Sequence, residues 1–130
     1  MAPFVRSGEQ LVTEVFVTNL GLSIEFYRTL GFAVLRREGH FAELSWEDHL
    51  FFLDESPEMA CSHPHPQANV RIMVPDVDQY WHLAQQLRAP IIWEIADRPY
   101  GLRDFILTDP DGFGLRFATP LSSHSPNSHA

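Results

Sequence analysis

Apolar and polar residues along this chain switch between two periods, and the order of switching occurs twice. Leu11 to Thr18 has the short, β-rich character of a strand. Asn19 then stands as a helix N-cap before an apolar stripe of Leu22, Phe26 and Leu30, with Gly31 where the helix should stop. Three strand patterns follow, Phe32 to Arg37, Phe41 to Trp46 and Leu50 to Leu53, separated by Gly39 and by the polar turn Glu47-Asp48. The order then recurs. Val70 to Val74 reads as a strand, and Asp76 caps a stripe of Tyr80, Leu83, Ala84 and Leu87. Ile91 to Ile95, Leu102 to Thr108 and Gly114 to Ala118 read as strands, separated by Arg98-Pro99-Tyr100-Gly101 and by Asp109-Pro110-Asp111-Gly112.

The two caps, Asn19 and Asp76, lie 57 residues apart, so position 12 of the first half corresponds to position 69 of the second. A duplicated βαβββ unit of class α+β accounts for this spacing. The repeats cover about 11–53 and 69–118. Segment 54–68, with Pro57, Pro64 and Pro66, reads as the linker between them. Together they predict one domain over 1–120, followed by a polar, flexible tail over 121–130.

Composition narrows the function classes. A chain of 130 residues, 45% hydrophobic and 20% charged, suits one soluble domain with a real core. Its net charge of −8 argues against nucleic acid or an anionic membrane as partner. The same acidity suits a cationic ligand, and it equally suits solubility alone. The single cysteine, Cys61, has no partner for an internal disulfide, which fits a reducing compartment. No apolar run approaches the roughly 20 residues that span a bilayer, and no signal-type core opens the chain, so a cytoplasmic location is expected.

Three stretches carry a family resemblance: Val17-Thr18-Asn19-Leu20-Gly21-Leu22-Ser23-Ile24-Glu25-Phe26-Tyr27 through Leu30-Gly31-Phe32, then Val74-Pro75-Asp76-Val77-Asp78, then Arg98-Pro99-Tyr100-Gly101 through the Asp-Pro-Asp-Gly turn. In this order and spacing, over about 11–118, the chain resembles the vicinal oxygen chelate superfamily, which includes glyoxalases, extradiol dioxygenases, fosfomycin-resistance enzymes and bleomycin-resistance proteins. The resemblance implies a curved mixed β-sheet with a concave cavity and helices on the outer face. In the enzymes a divalent metal on that face is commonly held by a histidine or glutamine in the first strand of one half, a histidine in the matching strand of the other, and glutamates in the last strands. Carried onto this chain, the first-strand places fall on Val12 and Asn69, and the final glutamate place falls on Arg116. In the last strand of the first half the candidates are Leu50, Phe51, Phe52 and Leu53. Valine has no donor atom, a neutral amide is a poor ligand, and arginine keeps its positive charge. No metal, cofactor or catalytic residue is therefore expected, and a binding protein is favoured over an enzyme.

The bleomycin-resistance proteins are the branch that this pattern resembles most. They share the scaffold without the metal, act as homodimers and sequester a cationic drug in grooves at the dimer interface. Arg98-Pro99-Tyr100-Gly101 is similar to their Arg-Pro-Trp-Gly stretch, with Tyr100 in place of tryptophan. By the same resemblance, the residues before Leu11 could form a strand exchanged between subunits. The implied function is sequestration of a cationic or aromatic small molecule by a homodimer. The alternatives are a glyoxalase- or dioxygenase-like enzyme with a divergent metal site, drawing on Glu14, Glu43 or a histidine, and a small module that binds a protein segment.

Strand alternation nominates the cavity residues. It separates Val12, Glu14 and Phe16 from Thr13, Val15 and Val17, and Asn69, Arg71 and Met73 from Val70, Ile72 and Val74. The uniformly apolar sets suit packing under helices, which leaves the mixed sets and Arg116 for the cavity. Glu14, Arg71 and Arg116 could orient a polar ligand or pair with one another. Among the aromatic residues, Trp46, Phe51, Phe52, Trp93 and Tyr100 could stack on a planar ligand or serve as ordinary core and interface. The candidate ligand-binding set is thus Glu14, Phe16, Trp46, Phe51, Phe52, Asn69, Arg71, Met73, Trp93, Tyr100 and Arg116. Trp81, on the second helix, reads as packing. His63 and His65 could trap copper or nickel, or belong to an exposed loop. The Asp109 to Gly112 turn reads as structural.

Overall fold

The computed structural model of the chain describes residues 4–59, 66 and 68–124, in two compact units that divide at Cys61 and Ser62. Cys61, His63, His65 and His129 lie outside the described residues. The first unit runs α1 (Ser7–Gln10), β1 (Thr13–Val17), α2 (Leu20–Leu30), β2 (Ala33–Glu38), β3 (Phe41–Trp46) and β4 (His49–Glu55), then a 3-10 turn at Pro57–Met59. The second runs β5 (Asn69–Met73), α3 (Val77–Leu87), β6 (Ile91–Asp97), β7 (Leu102–Thr108), β8 (Gly114–Pro120) and α4 (Leu121–His124). Each unit is a βαβββ module with a four-stranded mixed sheet, in the orders β1-β4-β3-β2 and β5-β8-β7-β6. The first strand of each module pairs parallel with its last, while the other pairs are antiparallel. The class is α+β, as the repeated pattern predicts.

The duplication reaches individual hydrogen bonds. Asn19 Oδ1 accepts from the Leu22 amide (3.0 Å), and Asp76 Oδ1 accepts from the Asp78 amide (3.2 Å), so both caps satisfy an otherwise orphaned N–H. At the other end, the Gly31 and Phe32 amides bond to the carbonyls of Arg28 and Tyr27, both at 3.0 Å. The Arg88 and Ala89 amides bond to Gln85 and Ala84 in the same pattern, both at 3.1 Å. This closure needs a positive φ at its first residue. Gly31 supplies it at +122°, and Arg88 takes it at +55° despite its side chain.

In each module the helix packs on the face that alternation marks as apolar. Val15, Val17, Leu44, Phe51 and Leu53 are buried with Tyr27 and Leu30 of α2. Phe51 packs at a tilt against Tyr27 and Phe32, at ring distances of 5.0 and 5.1 Å. In the second module Tyr80 stacks on Phe117 at 4.7 Å, and Trp81 meets Phe105 edge-on at 5.2 Å, so Trp81 is packing as its helical position suggests. Each large side chain sequestered in this way contributes roughly 1.5–3 kcal/mol.

Two expectations require correction. Leu22 is 57% exposed, because the buried face of α2 is Leu20, Ser23, Ile24, Tyr27 and Leu30 together with Phe26. The 3.6-residue period leaves the phase of a short stripe open by one position, and contact with the sheet decides it. Among the described residues before Leu11, Ser7–Gln10 form a helical turn rather than a strand. A side chain at Gly8 would meet the Asp48 carbonyl oxygen at 1.8 Å, so α1 approaches the start of β4 backbone to backbone. The predicted tail begins with α4, whose first amide, at Leu121, donates to the Gly101 carbonyl (3.0 Å).

Candidate functional site

Opposite its helix, each sheet presents a second face whose residues are ordered in rows by strand register. In the first module one row runs Glu14, Phe52, Glu43, Arg36, and the next runs Phe16, Asp54, Phe41, Glu38. In the second the matching row runs Arg71, Arg116, Ile106, Trp93, and the next runs Met73, Ala118, Asp104, Ala96. Glu14, Phe16, Phe52, Asn69, Arg71, Met73, Trp93 and Arg116 therefore share the non-helix face of their respective sheets. Phe51 and Trp46 do not. Phe51 is 4% exposed in the aromatic core, and Trp46 packs edge-on against Phe32 at 5.1 Å. Neighbouring residues in a strand point to opposite sides, so the Glu14–Phe52 register places Phe51 under the helix.

Arg116 is built into a polar cluster. Its Nε and Nη2 donate to Asp104 Oδ2 at 3.0 and 2.7 Å, and its Nη2 also donates to the Tyr100 hydroxyl at 2.6 Å. Tyr100 in turn donates to Asp104 Oδ2 at 2.8 Å, while Arg98 Nε donates to Asp104 Oδ1 at 2.7 Å. Asp104 has no exposed surface. The turn joining β6 to β7 makes this possible: Gly101, at φ +90°, closes it with its amide on the Arg98 carbonyl (3.1 Å). Irregular register in β6 on both sides of Trp93 sets that ring in the row of Arg116. The guanidinium carbons of Arg98 and Arg116 lie 5.3 and 6.0 Å from the Trp93 ring centre, and that of Arg116 lies 5.3 Å from the Tyr100 ring centre.

The cluster's charges are mutually adjusted. Burial pushes the Asp104 carboxyl up, but the hydrogen bonds from Arg98, Arg116 and Tyr100 outweigh it and leave the group below its ordinary value. Burial also opposes the Arg116 charge, and its bond to Asp104 more than restores it. Tyr100 is raised, first by burial and then by its bond to the Asp104 carboxylate, so its phenol stays protonated. Trp93 and Tyr100, 48% and 53% exposed, border an open groove of about 520 Å³ also lined by Ile92, Glu94, Ile95, Ala96 and Arg98.

Asp104 is the central residue that the sequence reading misses. One signal could have found it: a lone carboxylate flanked by the strand residues Arg103 and Phe105, on the face of β7 that meets Arg116. In the first module, Arg36 donates to Glu43 at 2.8 Å, and Phe41 meets Phe52 at 5.2 Å. Neither Glu14 nor Arg71 has an ion-pair partner among the described residues.

The sequence profile of the Glyoxalase/Bleomycin resistance protein/Dioxygenase superfamily matches residues 10–117, from before β1 into β8. The chain belongs to this superfamily. Solved structures with the same fold include TioX from Micromonospora sp. ML1, at 24% identity and a TM-score of 0.71, with 85% of this chain and 98% of that one covered. A bleomycin resistance determinant encoded on the transposon Tn5 matches at 16% identity and a TM-score of 0.68, covering 86% and 98%. A lactoylglutathione lyase from Agrobacterium tumefaciens matches at 19% and 0.65, covering 84% and 91%. These identities speak to the fold. No curated protein sequence matches the chain.

Membership sharpens the question of a metal. Arg71 pairs with Arg116 as Glu14 pairs with Phe52, so Phe52 is the counterpart of Arg116 by register among the four candidates 50–53 that the resemblance leaves open. In the first module Val12 and Phe52 offer no donor, and in the second Asn69 and Arg116 offer one amide oxygen and a fixed cation, so neither pair of residues fits a divalent metal. Among the described residues no group of three His, Cys, Asp or Glu side chains is placed to hold one. Among those residues, too, no helix is long and apolar enough to cross a membrane.

Proposed function

We propose that this chain is a metal-free small-molecule binding protein of the bleomycin-resistance type, which sequesters a cationic or aromatic compound without transforming it. One observation carries the reading: the guanidinium of Arg116, the residue on which the resemblance puts a metal-binding carboxylate, is committed to Asp104 and Tyr100. A cation fixed there repels a metal ion and removes the Lewis acid on which metal-dependent members rely. Glu14 supports the cationic part of the proposal, as an exposed carboxylate with no ion-pair partner among the described residues, beside Phe52 and the half-exposed Phe16. Such a carboxylate between aromatic rings suits an organic cation with a planar body. In the second module, Trp93 and Tyr100 offer a separate stacking surface that suits the aromatic part of the proposal, beside a groove of about 520 Å³. Completion of the groove by a second copy, one working domain over 1–120, and a role in the cytoplasm, as in antibiotic resistance, belong to the same proposal.

Calorimetry of the purified protein against bleomycin and a panel of planar cationic antibiotics tests it, before and after dialysis with a chelator, with light scattering for the dimer. Stoichiometric binding that chelation leaves intact is expected. Absence of binding across the panel would remove the sequestration claim. Retained stoichiometric zinc, nickel or iron with glyoxalase-type turnover would replace it with the enzymatic alternative.

A further inference from the structure

Arg71 and Arg116 face each other across β5 and β8 as register partners, so both side chains leave the same side of the sheet. Like charges in opposed positions repel unless something neutralises them. Asp104, a buried carboxylate on this face, is already shared between Arg98 and Arg116. Arg71 is exposed and has no partner among the described residues. The Nη1 of Arg116 makes no hydrogen bond among them either, because the cluster holds the guanidinium only through Nε and Nη2. Even with Glu94, which lines the groove, set against them, the three arginines keep this face cationic on a chain of net charge −8. The row ends at Trp93, with half of its surface open.

We infer that this face is an oxyanion site for an aromatic carboxylate, gripped between Arg71 and the free Nη1 edge of Arg116, with its ring against Trp93 and Tyr100. Guanidinium groups present paired donors that match the two oxygens of a carboxylate. Arg116 is held in place before any ligand arrives, so little further ordering is required at that end. Arg71 is the adjustable arm. Trp93 and Tyr100 supply apolar area that discriminates an aryl acid from a small inorganic anion. The site lies within the second module, goes beyond the proposed capture of cations and does not depend on it.

The test is titration of tryptophan fluorescence, backed by calorimetry, at low salt. Its probes are 1-naphthoate, the neutral 1-naphthamide and 1-naphthyl phosphate, applied to the wild type, Arg71→Gln and Glu14→Gln. Naphthoate is expected to bind about tenfold or more tightly than the amide, the scale of a charge-assisted contact. Arg71→Gln should abolish that ratio while leaving amide affinity unchanged and the melting temperature the same or slightly higher, as the repulsion from Arg116 is relieved, and Glu14→Gln should leave the ratio intact. Equal affinity for naphthoate and naphthamide in the wild type, or a ratio that survives Arg71→Gln, would overturn the inference. Preference for the naphthyl phosphate would overturn the carboxylate assignment. A protein that captures cations through Glu14 yet ignores naphthoate overturns this inference and leaves the cation reading standing.

Discussion

Arg116 Nη2 lies 2.7 Å from Asp104 Oδ2, joining a guanidinium that is about one-fifth exposed to a carboxylate with no exposed surface. The contact fixes a positive charge on the non-helix face of the second sheet, and it supports the β6–β7 turn through Arg98 and Tyr100. Removing its acidic half therefore tests the fold and the site together.

Asp104→Asn should destabilise the protein by about 3 kcal/mol, because Arg98 and Arg116 would lose their shared counter-ion while staying partly enclosed. Urea unfolding at neutral pH measures this. The double variant with Arg116→Gln should cost less than the sum of the single changes. Strict additivity would show that the two residues do not act as a pair.

The same carboxylate gives an acid-side signature. Its folded-state value is lowered, so its contribution is complete above the unfolded value of about 3.9 and is lost as pH falls through the folded value. The stability gap between wild type and Asp104→Asn should be flat from about pH 5 to 8 and narrow below about pH 4. Tyr100 acts in the opposite direction. Its value is raised, so its contribution is present below about pH 10 and is lost as the phenol ionises at higher pH. Tyr100→Phe should cost about 1 kcal/mol at neutral pH and flatten the alkaline limb.

Arg88 occupies the helix stop that Gly31 occupies in the other module. Arg88→Gly should stabilise the chain by about 0.5–1 kcal/mol by relieving the left-handed conformation. Gly31→Ala should destabilise it, since φ there is +122° and the new Cβ would lie 3.2 Å from the Trp46 ring. Paired thermal melts read both, and a loss of stability in Arg88→Gly would refute the capping argument.

Gly8→Ala should release α1 from β4, since the added carbon would fall 1.8 Å from the Asp48 carbonyl oxygen. Faster hydrogen exchange over 7–11, with little change in the cores of the two sheets, is the expected result. Unchanged exchange would mean that α1 is not held by this approach.

Glu14→Gln should weaken an organic cation by about tenfold while sparing a neutral analogue of the same shape, a difference that calorimetry resolves. Equal losses for both would assign Glu14 a structural role instead.

The sequence by itself determined the modules. Asn19 and Asp76 mark helix starts because a side-chain oxygen satisfies an amide that the helix cannot. The alternations Val15-Val17 and Ile72-Val74 mark the buried faces because successive strand residues point to opposite sides. These are local rules, acting within a few residues. Tertiary structure alone decided the rest. Leu22 or Leu20, and Phe51 or Phe52, are equivalent to periodicity, and only the docked helix and the β1–β4 register separate them. The partner of Arg116 is Asp104, twelve residues earlier on a neighbouring strand. Arg116 meets Arg71 through parallel pairing of strands that the chain separates by a helix and two further strands. Charge neutralisation and repulsion at this site depend on distances across the sheet, which cross-strand hydrogen bonding sets and no local pattern of residues encodes.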